Sequence, residues 1–457
     1  MDEQTLRVKD DFTKGPIVGP LIRFSLPLML SLLLQALYGG VDLAVVGLYA
    51  REEGAAAAVA TGSQIMLAAT VVITGLTMGV TVLVGKAVGA GDKVSAAGTV
   101  AGQIKLFSLG AVLLTVFMIL FAPTATELMN VPGAAVDDTV AYVRICSAGM
   151  IFITAYNGIS GIYRGIGNSR SPFIFVTIAC VVNIVLDLVL VAVGALKTGV
   201  SGAAAATVAA QAMSVVFSVV YMKKRPLPFS ITRESFAMRG TVKRILRVGS
   251  PIAFQDLLVN LSFLIITGIV NKLGLEASNG IGISEKLFAF LSIVPMSFMS
   301  ALSAFVAQNM GANEPNRALR SLKAAQLISF MAGIVMFLMT FFGGRVLASF
   351  FSDTDGVITA TAEYLRGCSF EYLMIPLTFC YLGYFNGREH TVFVMAQGLF
   401  SAFFVRIPVS YLLSIGPSAD MFHISLAVPI SGLVNMALCI GYYLLLRHKD
   451  KKTVVSS

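Results

Sequence analysis

The sequence predicts an all-α integral membrane protein of twelve transmembrane helices arranged as two homologous six-helix lobes. Three observations predict it. Apolar stretches long enough to cross a bilayer recur along nearly the whole chain, basic residues concentrate in alternate connections, and sequence landmarks repeat at one fixed offset.

Only 12% of the 457 residues are charged, 56% are hydrophobic, and the mean hydropathy is +0.84; soluble domains carry about 25% charged residues. A soluble class is excluded. A helix of about 20 apolar residues crosses a hydrocarbon layer of about 30 Å. Segments of that kind fall at 17–48, 54–84, 97–121, 139–162, 172–194, 199–222, 249–270, 282–306, 321–343, 359–385, 391–413 and 423–446. The first follows a polar arm, Met1 to Lys14, and is too long for the core of a signal peptide, so no cleaved targeting segment is expected.

A formal charge of +9 raises the question of nucleic acid, but its distribution answers differently. One set of connections holds Arg7, Lys9, Lys14 and Arg23; Lys86, Lys93 and Lys105; Arg164 and Arg170; and the run from Lys223 to Arg247. It continues through Arg317, Arg320, Lys323, Arg388, and the tail Arg447, Lys449, Lys451 and Lys452. The intervening connections offer Arg51, Lys197, Lys272 and Arg345. By the positive-inside rule the basic set is cytoplasmic, both termini included. No nucleic-acid partner is expected; the partners are the bilayer and small molecules. The segment from Lys223 reads as a cytoplasmic linker.

Tyr142, Arg144, Cys146 and Ser147 reappear as Tyr364, Arg366, Cys368 and Ser369, 222 residues on; Gly89 answers Gly311, and Gly165 answers Gly387, at the same offset. Three agreements at one spacing argue for duplication. The chain divides into a first lobe at 1–222, a basic linker at 223–247 and a second lobe at 248–457. Six helices per copy leave the copies in the same orientation, as in transporters whose repeats rock against each other.

An ionisable side chain at the bilayer centre costs on the order of 3 kcal/mol, so those kept there usually have a task. The candidates are Asp42, Asp187, Asp256, Glu285, Glu371 and Arg406. Asn183 and Asp187 share one face of helix 5 at i and i+4, and Gln35, Tyr38 and Asp42 share a face of helix 1. Should the stripes meet, two buried carboxylates side by side would suit a site loaded by a proton or a sodium ion. At offset 222 Asp42 falls on Leu264, Asn183 on Val405 and Asp187 on Val409, so such a site belongs to the first lobe. Glu285 falls near the start of predicted helix 8, with Arg406 as a partner for it or for Glu371, and Arg144 and Arg366 snorkel from helix starts. Pro27 lies inside helix 1, where it permits a bend, and Pro251 opens the matching helix of the second lobe.

Other features are bland. Gly75/Gly79, Gly85/Gly89 and Gly161/Gly165 have the spacing that lets helices approach closely. Cys146, Cys180, Cys368, Cys380 and Cys439 sit in apolar helices without ligand spacing and read as packing residues. GVTVLVGKA, at Gly79 to Ala87, fails the phosphate-loop pattern, so ATP is not the direct energy source. No catalytic motif is present, the three histidines lie near helix ends, and neither an enzyme activity nor a cofactor is expected beyond a coupling H+ or Na+.

Four segments together carry a family resemblance: SLPLMLSLLLQALYGGVDLAVVG in helix 1, NIVLD in helix 5, GVSGAAAAT opening helix 6, and AQNMGANEPNRA after helix 8. Over essentially its whole length the chain resembles the multidrug and toxic compound extrusion (MATE) family, DinF-like branch, of the MOP flippase superfamily. The resemblance implies two six-helix lobes around a central cleft and export of cationic or amphipathic compounds in exchange for sodium ions or protons. It implies that Asp42, Asn183, Asp187 and Thr207 form the first-lobe cation site, Na+ included, that Pro27 is the hinge, and that Gln35, Tyr38 and Asn157 meet substrate. Where other branches place an acid deep in helix 7, this chain offers Asn260, with Asp256 a turn earlier.

The function expected is cation-coupled antiport of drugs by alternating access in the inner membrane of a prokaryote, by a monomer. One rival is a lipid-linked saccharide flippase of the same superfamily, which would favour a cationic cavity for phosphates. The other is a receptor or membrane enzyme that moves nothing.

Overall fold

A computed structural model of the protein describes residues 12–50, 54–192, 199–415 and 420–456. Arg7, Lys9, Arg51 and Lys197 of the charge pattern lie outside these residues, and so do the side chains of Lys451 and Lys452. In a bilayer every backbone polar group must be satisfied within the chain, which leaves helices for a sequence of this apolarity. The first half supplies α1 (Val18–Tyr49), α2 (Ala55–Gly89), α3 (Lys93–Leu128), α4 (Val136–Ala148), α5 (Met150–Gly165), α6 (Arg170–Asp187) and α7 (Gly199–Lys224). The short α8 (Arg233–Ala237) follows. The second half supplies α9 (Thr241–Val270), α10 (Leu275–Leu291), α11 (Ile293–Gly311), α12 (Pro315–Ser349), α13 (Asp355–Cys368) and α14 (Glu371–Gly387), then α15 (Thr391–Leu399), α16 (Ile407–Ile415), α17 (Met421–Ser425) and α18 (Ala427–Ser456).

Ten described helical segments are long and apolar enough to cross a membrane, and an eleventh crossing is the α4–α5 pair, bent by 51° at Gly149. The predicted segment 359–385 falls on α13 and α14, of 14 and 17 residues, each too short to count among those ten. Several helices outrun the apolar segments that announce them. α3 has 36 residues against 25 apolar ones, because a helix continues into the polar layer while hydropathy marks only its middle. For the same reason α10 starts at Leu275, not at 282, and Glu285 sits well inside that helix rather than near its start.

The turn from α2 to α3 follows from two residues. Gly91 takes the left-handed region at φ +69°, and the carboxylate of Asp92 accepts the Ser95 backbone N–H at 2.9 Å, capping α3. Along α3 small residues, Ala96, Ala97, Gly98, Ala101 and Gly102 among them, are buried, while Leu113, Val116, Phe117 and Leu120 are exposed. That inversion is what a lipid-facing helix requires.

The fifth crossing of each half is irregular. α6 passes directly into a π segment, Leu188–Ala192, and α15 reaches α16 through another, Phe400–Arg406.

The chain forms two compact units, one built chiefly on Arg23–Ala253 and the other chiefly on Phe254–Met310 and Glu314–Ser457. In the first, α2 packs on α5, α6 on α7 and α3 on α4. Gly161 and Gly165 bring α5 onto α2: the Thr81 hydroxyl donates to the Gly161 carbonyl at 3.1 Å, and a Cβ on Gly165 would lie 2.9 Å from the Thr81 carbonyl oxygen. In the second, α12 packs on α13 and α14, α10 on α13, and α14 on α18.

Candidate functional site

The first unit encloses a cavity of about 300 Å³. α1 contributes Gln35, Tyr38 and Asp42; α2 contributes Ser63, Thr70 and Thr74; α4 and α5 contribute Tyr142, Tyr156 and Asn157; α7 contributes Thr207 and Gln211. Most of these groups are uncharged hydroxyls and amides, and Asp42 is the one carboxylate among the lining residues.

Asp187 and Asn183 lie behind this wall and are fully buried; Asp42 is 3% exposed. The i and i+4 spacing on α6 places the amide and the carboxylate on one face, and that face meets α7, where Asn183 Nδ2 donates to Thr207 Oγ1 at 3.4 Å. The carboxyl groups of Asp42 and Asp187 come together, and the Tyr38 hydroxyl lies among Thr207, Asp42 and Asp187. The predicted stripes on helices 1 and 5 therefore converge. Gln35 and Asn157 line the same cavity, with Asn157 Nδ2 donating to the Ile153 carbonyl at 2.9 Å.

A relay missing from the residue pattern completes the site. The Tyr142 hydroxyl donates to Asp42 Oδ2 at 3.4 Å and is itself bonded to Ser63 Oγ at 3.1 Å. Tyr142 drew attention in the sequence only as a repeat landmark. Ser63 carried no signal, since a lone hydroxyl in an apolar helix ordinarily returns to its own backbone.

Four acceptor atoms here have no hydrogen-bond partner among the described residues: Asp42 Oδ1, both oxygens of Asp187, and Asn183 Oδ1. Two uncompensated carboxylates out of water cost several kcal/mol each. Oxygen-only donors suit a hard cation, and a proton shared by the carboxylates meets the same need.

Pro27 lies inside α1, which is continuous through it; the Ser31 hydroxyl donates to the Pro27 carbonyl at 2.7 Å. The five cysteines are free and buried.

The other predicted intramembrane charges belong to the second unit or its edge. Asp256 is half-buried on α9, and Asn260 Nδ2 donates to its backbone carbonyl at 2.7 Å. Glu285 accepts from the Thr267 hydroxyl, and Glu371 and Arg406 are buried. Arg144 and Arg366 are exposed, but Arg366 lies in the last turn of α13 rather than at a helix start, 4.9 Å from the Phe341 ring centre.

Duplicated, helical and multi-pass, with an acid pair set beside a polar cavity in one half, the protein is of the class of membrane transporters. The chain belongs to the MatE family, whose profile matches residues 27–189 and 251–412, one block in each half. It is 26% identical over 436 residues to the probable multidrug resistance protein YoeA of Bacillus subtilis, covering 92% of each chain. It is 24% identical over 451 residues to the FAD transporter of Shewanella oneidensis, covering 94% of each. Among solved structures, the outward-facing conformation of a multidrug resistance MATE family transporter superposes with a TM-score of 0.88 at 20% identity, covering 98% of each chain. A MOP superfamily transporter from Pyrococcus furiosus superposes at 0.87 and 20%, covering 96% of this chain and 97% of that one. At these identities the structural likeness speaks for the fold.

Proposed function

We propose that the chain exports cationic or amphipathic small molecules in exchange for a sodium ion or a proton. The observation that carries this reading is the convergence of Asp42 and Asp187 beside the first-unit cavity, with four acceptor atoms unpartnered among the described residues. An acidic site of this kind takes a cation whether it arrives as coupling ion or as part of a substrate. The relatives named for multidrug resistance and export favour small-molecule cargo.

In the proposed cycle a cation from outside neutralises the aspartate pair, with Asn183 and Thr207 completing the site. α1 then rearranges near Pro27, and substrate held by Gln35, Tyr38 and Asn157 is released outward. Substrate entering from the cytoplasm competes for the same charges. Coupling arises because both ligands bias one two-state equilibrium, here alternation of access by the halves at 1–222 and 248–457. In this reading the chain sits in a prokaryotic inner membrane, with the basic connections, the 223–247 linker and both termini facing the cytoplasm as the positive-inside rule favours.

The relative named as an FAD transporter suggests an anionic cargo as the competing reading. The carboxylates at the cavity oppose an anion, as they oppose the phosphates of a lipid-linked saccharide.

The test is efflux of a fluorescent cationic dye from proteoliposomes under separately imposed sodium and proton gradients. One gradient is expected to drive efflux in the native chain and in neither Asp42→Asn nor Asp187→Asn. Efflux surviving both substitutions in folded protein would overturn the site, and transport of FAD but not of dye would overturn the substrate class.

A further inference from the structure

The second half holds charges that this cycle leaves unused. Arg406, ending the π segment Phe400–Arg406, is 7% exposed, and Glu371, opening α14, is 6% exposed. The guanidinium is held on two sides. Nε donates to the Ser431 hydroxyl at 2.9 Å, and the guanidinium carbon lies 4.7 Å from the centre of the Phe263 ring, a cation over an aromatic face. Nη1 of Arg406 and Oε2 of Glu371 have no hydrogen-bond partner among the described residues, yet the two charges lie near enough to act on each other. Gly432, beside Ser431, lets the Glu371 carboxylate lie against α18, where a Cβ would collide with it. A second acid, Glu285, accepts from Thr267 and, like Arg406, acts on Tyr364.

The repeat offset gives these positions their meaning. Moved by 222 residues, Asp42 falls on Leu264, next to the Phe263 that underlies the guanidinium. Asp187 falls on Val409, and Arg406 precedes that position by three residues, on the same helical face of the fifth crossing. Tyr364 repeats Tyr142, the donor to Asp42, and Glu285 repeats Ser63, the partner of Tyr142. The fifth crossing of each half thus brings a charge close to an equivalent place, a carboxylate in the first half and a guanidinium in the second. One half presents two carboxylates that need a cation. The other presents an acid, Glu371, with a cation already attached to the chain.

We propose that Arg406 is a tethered cation that fills, in the second half, the place an exchangeable cation takes in the first. Glu371 then belongs to a cation site closed by the chain itself, and a single half exchanges ions. This rests on the reading of Asp42 and Asp187 as the exchange site. A guanidinium suits the task because it cannot lose its proton at any pH the cell meets, whereas the aspartate pair must load and unload.

The experiment is cation binding to the purified full-length chain, read as retained sodium-22 and as protons exchanged in weakly buffered solution. The Asp42→Asn/Asp187→Asn chain is expected to bind no exchangeable cation. Adding Arg406→Gln is expected to restore about one bound cation per chain, Glu371→Gln on top of that to abolish it, and Arg406→Lys to leave binding at none. No gain with Arg406→Gln in monodisperse protein overturns the proposal and leaves the first-half reading intact. If the Asp42→Asn/Asp187→Asn chain still binds a cation, the first-half reading fails, and Glu371→Gln decides for Arg406: removal of that cation overturns closure, its persistence supports it. Should Arg406→Gln not fold, Glu371→Gln in the native chain serves instead. Unchanged cation stoichiometry supports a site already filled, and loss of a bound cation overturns it.

Discussion

Tyr142 tests how finely the aspartate site is tuned. Its hydroxyl donates to Asp42 at 3.4 Å, a long bond that stabilises the bare carboxylate and so would compete with the cation proposed for the pair. Removing the donor in Tyr142→Phe deprives the empty state of about 1 kcal/mol, so the cation should bind roughly fivefold more tightly. Dye efflux should slow as release becomes harder. Measured binding that weakens would mean that the hydroxyl contacts the cation rather than the carboxylate. The carboxylates themselves were legible in the sequence because an acid in an apolar helix is costly and conspicuous. The hydroxyls around them were not. Ser63, Thr70 and Thr74 look like any hydroxyl residue of a spanning helix until the fold shows which of them face the cavity.

Among the helices, close approach depends on residues with no side chain to give way. Gly161 faces Thr77 of α2, and a Cβ there would meet the threonine methyl at 2.5 Å. Gly161→Val should overpack this contact at a cost of about 1–3 kcal/mol, seen as a lower melting temperature in detergent. The cap of α3 is a smaller matter. Asp92 is exposed, and the side chain and backbone N–H of Ser95 hold its carboxyl below the usual carboxylate range. Its contribution to stability is therefore present above the unfolded carboxylate pKa and is lost as pH falls through the folded value. Asp92→Ala should cost about 0.5 kcal/mol at neutral pH and less in strong acid, by thermal melts at the two pH values. The crossings were legible as apolar stretches; their breaks were not. Hydropathy is blind to the bend at Gly149, the break between α10 and α11 near Ser292 and the π segments, because a broken apolar helix is as apolar as a straight one. The misplaced start of α10 has the opposite cause, since Glu276, Ser278 and Asn279 lower the apolarity of a turn that is nonetheless helical.

For the folded chain as a unit, a ligand that binds only the folded state adds stability by mass action, about 2.7 kcal/mol at a hundredfold excess over its Kd. The proposed coupling ion should therefore raise the melting temperature of the native protein in a concentration-dependent way and leave the Asp42→Asn/Asp187→Asn chain unmoved. An equal rise in both would place the ion elsewhere. The duplication was visible in three spaced landmarks, and the two blocks matched by the MatE profile fall one in each half. What the repeat offset alone could not convey is how differently the halves use equivalent positions, because a substitution of Leu264 for an acid says nothing about the guanidinium that the fold brings beside it.

The π segment that follows Asp187 alters the ordinary arithmetic of deletion. In a regular helix, losing one residue rotates everything beyond it by about 100°, which would turn a crossing's polar stripe toward lipid. A π turn already carries one residue more than an α turn. Leu188–Ala192 is thus a length of slack in the chain, and removing Val189 should heal it into a continuous helix. Removal of Phe217 from the unbroken α7 should instead abolish folded protein. Comparable yields of monodisperse protein from the two deletions would show that the extra residue is not stored there.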